Sequence, residues 1–161
     1  MELLGVRVEL PANTPVVMLR EHDGERGRVL PILIGGPEAA AIHAALEGLV
    51  PPRPLTHDLL VVVLQTLGAT LDKVVITEVR DHTFYAELHL TTATGASVIS
   101  CRPSDGIAVA VRTEAPIFAA EALLDEAAVE VADDEEVADE EAILDEFRDF
   151  LDDVRPEDFD A

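Results

Sequence analysis

Apolar and polar residues alternate along the opening segment of the chain. Across residues 3–10, Leu4, Val6, Val8 and Leu10 fall on one side, and Arg7 and Glu9 on the other. A period of two is that of a half-buried β-strand. Pro11-Ala12-Asn13-Thr14 makes a turn, and residues 15–21 form a second predicted strand. Residues 22–27 read as a hairpin loop, and residues 28–34 return as a mostly apolar, largely buried strand. The period then changes. Gly35-Gly36-Pro37-Glu38 opens a helix to about Leu49, with proline in its favoured first turn. Residues 50–54 contain Pro51, Pro52 and Pro54 and form a stiff connector. A second helix starts at Thr56, reaches Leu67 and closes at Gly68. Its stretch from Leu59 to Leu64 is apolar all round, which fits either the central core helix or a subunit interface.

Three further strands are predicted over residues 71–80, 83–92 and 96–101, joined by tight turns at Asp81-His82 and at Ala93-Thr94-Gly95. A third helix covers residues 104–112. A short fourth one lies around residues 119–127, after Pro116-Ile117-Phe118. Strands and helices are grouped rather than alternating, so the class is α+β: a mostly antiparallel sheet packed with three to four helices. From Ala132 the composition changes. Asp133-Asp134-Glu135-Glu136 and Asp139-Glu140-Glu141 form a charge run, and Ile143, Phe147, Phe150 and Val154 then recur at helical spacing. This predicts an acidic amphipathic helix ending at Arg155-Pro156. The organisation is one domain over residues 1–127, then an acidic linker and helical tail over residues 128–161.

Charge bears directly on function. The formal net charge is −22. From Glu121 onward, 19 acids face only Arg148 and Arg155, a net of −17, which leaves −5 on residues 1–120. Nucleic-acid binders usually carry a basic patch, because neutralised phosphates release counterions. Any nucleic-acid contact here must therefore be local and salt-sensitive. Aromatic residues make up 4% of the chain, so base stacking has few platforms and the core is aliphatic. The single cysteine, Cys101, excludes an intrachain disulfide and a multi-cysteine zinc site, and it reads as a buried thiol. Charges interrupt the N-terminal segment, so no signal peptide is read there, and the longest aliphatic run is too short to span a bilayer. A cytoplasmic location with no membrane partner is the expectation.

Two segments repeat one design. Arg53-Pro54-Leu55-Thr56-His57-Asp58-Leu59 and Arg102-Pro103-Ser104-Asp105-Gly106-Ile107 each run from Arg-Pro through a hydroxyl residue and an aspartate into an apolar helix. The hydroxyl residue is placed to cap free backbone N–H groups, and the aspartate suits the positive end of the helix dipole. Arginine beside a helix N-terminus makes a phosphate site, although the same features also describe two plain, well-capped helices. These two segments combine with Leu30-Pro31-Ile32-Leu33-Ile34-Gly35, Glu38-Ala39, Thr83-Phe84-Tyr85-Ala86-Glu87-Leu88 and Ala115-Pro116-Ile117. Taken in order, the blocks resemble the bifunctional nuclease domain family over about residues 1–127. The resemblance implies an α+β domain and, for some members, cleavage of RNA and DNA.

The candidate chemistry follows phosphodiester hydrolysis, which needs an activated water and stabilisation of charge on the phosphoryl oxygens. His57 is the titratable base or acid; Asp58 and Asp105 orient it or hold a divalent cation, Mg²⁺ or Mn²⁺; and Glu38 completes an acidic cluster if the three helix starts converge. Arg53, Thr56, Arg102 and Ser104 are the phosphate-binding candidates. No organic cofactor is expected, and no His-x-x-x-His spacing singles out a particular metal. No Gly-x-x-x-x-Gly-Lys loop or Gly-x-Ser-x-Gly elbow is present, which argues against those nucleotide hydrolases and esterases. The alternative reading is a non-catalytic homo-oligomeric regulatory module whose acidic tail recruits a basic protein or masks a basic surface.

Overall fold

A computed structural model describes residues 1–9, 14–22 and 27–130. The predicted tail helix, with Ile143, Phe147, Phe150 and Val154, lies outside the described residues, as do the tips of the first two predicted turns.

Two four-stranded sheets frame the domain. The first joins β1 (Glu2–Glu9), β2 (Thr14–Arg20), β3 (Arg28–Leu33) and β8 (Val129–Glu130), in the order β1-β2-β3-β8 and all antiparallel. The second holds β4 (Thr70–Arg80), β5 (Thr83–Thr92), β6 (Gly95–Cys101) and β7 (Ile117–Ala119), in the order β6-β5-β4-β7. Its long strands are antiparallel, and β7 alone runs parallel to β4. Four helices complete the described residues: α1 (Gly36–Leu46), α2 (Thr56–Thr66), α3 (Pro103–Thr113) and α4 (Glu121–Ala127). The α+β class is therefore observed. None of these helices is long and apolar enough to cross a membrane.

The centre belongs to α3, whose residues Ile107, Ala108, Val109 and Ala110 are all buried. Its inner face carries small side chains, so it can lie close against β4 and β5. At Gly106 the fit is tightest: a Cβ there would lie 2.9 Å from Val74 Cγ1 and 3.3 Å from Cys101 Sγ. α1 packs against the other side of α3 and against β1 and β2. Arg28, buried at the start of β3, donates two hydrogen bonds to Glu21 and one each to Glu121 and Asp125 on α4. Carboxylates on three sides satisfy its fork of donors and tie α4 to β3.

Three expectations are corrected. The strict alternation predicted for the first strand breaks at Gly5, where φ is +133° and the pairing register with β2 shifts. The bulge inserts one residue, so Leu3 and Val6 pack on the core while Val8 is exposed. The apolar run in α2 is not the central core helix: Leu59, Leu60, Val62 and Val63 all lie exposed, and His57 is the only buried residue of α2. Finally, Ile117–Ala119 is a strand and not a helix approach, since it completes the second sheet beside β4. The turn at Asp81-His82 forms as predicted, with φ of +48° and +60°, the left-handed pair that a two-residue hairpin requires.

Candidate active site

Three helix N-termini meet at one pocket. The residues lining it include Pro37 and Glu38 from the start of α1, Leu55, Thr56 and His57 from the start of α2, and Arg102 and Asp105 from the start of α3; its volume is about 520 Å³. Each start follows from local sequence. Gly35, Leu55 and Arg102 adopt extended backbone immediately before a helix, and proline occupies an early position in α1 and α3. The N-caps are thus Leu55 and Arg102, one or two residues before the predicted hydroxyl caps. Thr56 is already helical, and no side-chain hydroxyl caps either helix. Instead, Asp58 accepts a hydrogen bond from the Leu55 backbone N–H at 2.8 Å. A carboxylate in the first turn satisfies one of the free donors there and suits the dipole.

Asp105 is the hub. Arg102 grips it with two parallel hydrogen bonds, Nε to Oδ2 at 2.7 Å and Nη2 to Oδ1 at 2.9 Å. His57 Nε2 lies 3.2 Å from the same Oδ1. Arg102 Nη2 also reaches Glu38 Oε1 at 2.9 Å, so one guanidinium links α1 and α3. The Arg102 guanidinium holds the Asp105 carboxyl below the usual carboxylate range, with the His57 bond assisting against partial burial. An ionised Asp105 only accepts hydrogen bonds, so the ring proton of His57 sits on Nε2 and points at it. In the neutral ring Nδ1 then carries the lone pair. Nδ1 makes no hydrogen bond to a described residue. Arg102 is the exposed member: its side chain is 65% accessible, against 11% for His57.

The remaining candidates separate. Asp58 turns away from the pocket to Arg112, whose Nε donates to Oδ1 at 2.5 Å. Arg112 also donates to the carbonyls of Ala108 and Ala41. Its nearly buried guanidinium thereby joins α1, α2 and α3, and it holds the Asp58 carboxyl below its ordinary range. Adjacent residues of α2 thus reach opposite ends of α3, His57 the first turn and Asp58 the last. Ser104 is buried and outside the pocket lining, and Arg53 is exposed with no ion pair to a described residue. The sequence reading missed Arg112 and Gly35. A Cβ on Gly35 would lie 2.2 Å from Glu38 Oε2, so glycine leaves room for that carboxylate.

The expected divalent cation finds no ready donor set. Among the described residues no group of three His, Cys, Asp or Glu side chains is arranged to hold a metal ion. Glu38 and Asp105, the nearest carboxylates, already share the Arg102 guanidinium, which a cation would have to displace. Cys101 lies at the edge of this region with its thiol pushed up to about 11 by burial and by the nearby Asp105 charge, which leaves it protonated and unreactive at neutral pH.

Comparison with known proteins fits this architecture. Two Mycobacterium tuberculosis proteins, uncharacterized protein MT1877 of strain CDC 1551 and uncharacterized protein Rv1829 of strain H37Rv, are each 44% identical to the chain over 163 residues. The alignment spans 99% of this chain and 96% of each relative. Residues 17–132 match the bifunctional nuclease domain, a span that contains all three helix starts, and the chain therefore belongs to the bifunctional nuclease domain family.

Proposed function

We propose that this protein hydrolyses phosphodiester bonds of RNA or DNA at the pocket where α1, α2 and α3 begin. The observation that carries the reading is the continuous linkage His57–Asp105–Arg102–Glu38 along an open pocket. Arg102, the exposed cation, receives the phosphate, and the free N–H groups of the helix starts add donors aimed at its oxygens. Asp105 orients the imidazole and keeps its proton on Nε2. His57 Nδ1 takes a proton from the attacking water and later returns it to the leaving oxygen. Placing anionic charge against preorganised donors and one arginine supplies the stabilisation that phosphoryl transfer requires. The acidic body limits affinity, so binding weakens steeply as salt rises.

The test is cleavage of labelled single-stranded RNA and DNA by the purified chain and by Asp105→Asn, each with Mg²⁺, with Mn²⁺ and with chelator. Cleavage that falls by about 10²-fold or more in a folded Asp105→Asn variant supports the site. Cleavage unchanged in that variant refutes it, and the chelator arm decides whether a cation takes part. A second reading rests on the exposed apolar face of α2, which suits a non-catalytic oligomeric module. Absence of cleavage by the wild type under every condition favours that reading.

A further inference from the structure

Sheet edges expose unpaired backbone groups, and folded proteins usually guard them with charge, bulges or short strands. Three of the four edges described here are guarded. β1 carries Glu2, Arg7 and Glu9 and the bulge at Gly5, while β7 and β8 have three and two residues. The fourth edge, β6, is different. Its sequence Gly-Ala-Ser-Val-Ile-Ser-Cys has no charge and no proline, and it pairs with β5 in unbroken register. Every residue from Gly95 to Ser100 is exposed, on both faces of the strand, with Val98 at 53% and Ile99 at 47%. Ile99 stands opposite the buried Leu88, so it faces the helix side of the sheet. α3 covers β4 and β5 and leaves that side of β6 open.

We propose that β6 pairs antiparallel with β6 of a second copy of this chain, about a two-fold axis at Val98, joining the two β4–β7 sheets into one. Charge selects the occupant. Residues 1–120 carry a net charge of −5, yet residues 90–101 contain no charged side chain, so two copies meet here without setting like charges against each other. The pairing is also self-complementary. Val98 is the middle residue of the strand, so it meets Val98 of the second copy, Ser97 meets Ile99, and Ala96 meets Ser100. Glu87, which lies opposite Ser100 within the sheet, then falls in a row that ends at Thr91 of the second copy rather than at another carboxylate. On the inner face the row of Leu90 and Ser97 gains Ile99 of the second copy, and the free backbone groups of both edges are satisfied.

The test combines sedimentation equilibrium of the full chain with site-directed cross-linking. The wild type is expected at twice the chain mass at tens of micromolar. Val98→Lys sets two like charges directly opposite each other and shifts the chain to monomer with unchanged circular dichroism. In a Cys101→Ser background, Val98→Cys forms a disulfide-linked dimer on oxidation, while Ser100→Cys does not, because it faces Ala96. A monomeric wild type overturns the proposal. So does a dimer that survives Val98→Lys and fails to cross-link through position 98, which would place the interface elsewhere.

Discussion

Gly35→Ala isolates the contact between Glu38 and Arg102 without disturbing the fold. The backbone at Gly35 is extended with φ of −77°, a conformation alanine adopts freely. The added Cβ would lie 2.2 Å from Glu38 Oε2 and 3.3 Å from its Cδ, with Pro37 Cδ the next neighbour at 3.8 Å. Ordinary contact is about 3.5 Å, so the carboxylate must retreat by about 1 Å or more. That retreat breaks its 2.9 Å bond to Arg102. Two small stability terms oppose each other. Replacing glycine at a compatible backbone angle stabilises by about 0.4–1 kcal/mol, and losing an ion pair with an exposed arginine costs about 0–1 kcal/mol. The thermal midpoint therefore moves by no more than about 4 °C. Cleavage responds more strongly, because Arg102 is now held from one side: kcat is expected to fall about tenfold, or ~1.4 kcal/mol in the barrier, with KM not raised. A double-mutant cycle completes the assay. In a Glu38→Ala background no carboxylate remains to displace, so adding Gly35→Ala should change neither kcat nor the thermal midpoint beyond the small glycine effect. Additive losses in the double variant, or wild-type cleavage by Gly35→Ala, would refute the reasoning.

Other perturbations test the frame around the site. Asp58 and Asp105 both have carboxyl groups held below their ordinary range by arginines. The unfolded chain then binds protons more readily, so stability is full above about pH 4 and falls as pH drops through the folded values; urea midpoints between pH 7 and 3 should show this, with a shallower slope in Asp58→Asn. Gly106→Ala places a Cβ 2.9 Å from the buried Val74. It should destabilise by about 1 kcal/mol in urea unfolding, although alanine favours helix by about that amount, because overpacking costs about 1–3 kcal/mol. A stabilised variant would show that α3 can lift from the sheet. Cys101, with its thiol raised to about 11, should react with a disulfide reagent far more slowly at pH 8 than a free cysteine, and rapid labelling of the folded chain would contradict that environment.

Much of this architecture is legible in the residues themselves, and the exceptions have physical causes. Period-two alternation and turn chemistry mark β4, β5 and β6 nearly to the residue, and Gly68, at positive φ, marks where α2 stops, whereas α1 ends at Leu46, short of the predicted Leu49, ahead of Gly48 at positive φ. β7 escaped because three residues between Pro116 and Ala120 carry no period, and its partner β4 is remote in sequence. The apolar run of α2 misleads for a related reason. Its composition describes a buried helix, yet the slot against the sheet is taken by α3, whose glycine and alanines approach more closely. At the site, His57, Asp105, Arg102 and Glu38 were each visible as polar residues at helix starts, and their meeting needed tertiary structure. Asp58 shows the limit of reading neighbours together: it follows His57 directly, yet its partner is Arg112, 54 positions away.

The central claim is that His57 moves the proton at this pocket, and one comparison tests it most directly. Cleavage of a labelled oligonucleotide should be measured with the wild type and with His57→Ala, each with and without added imidazole. The account predicts a loss of about 10²–10⁴-fold in the variant with its fold intact, partly recovered when imidazole enters the space left by the side chain. Cleavage by His57→Ala at the wild-type rate would contradict the account.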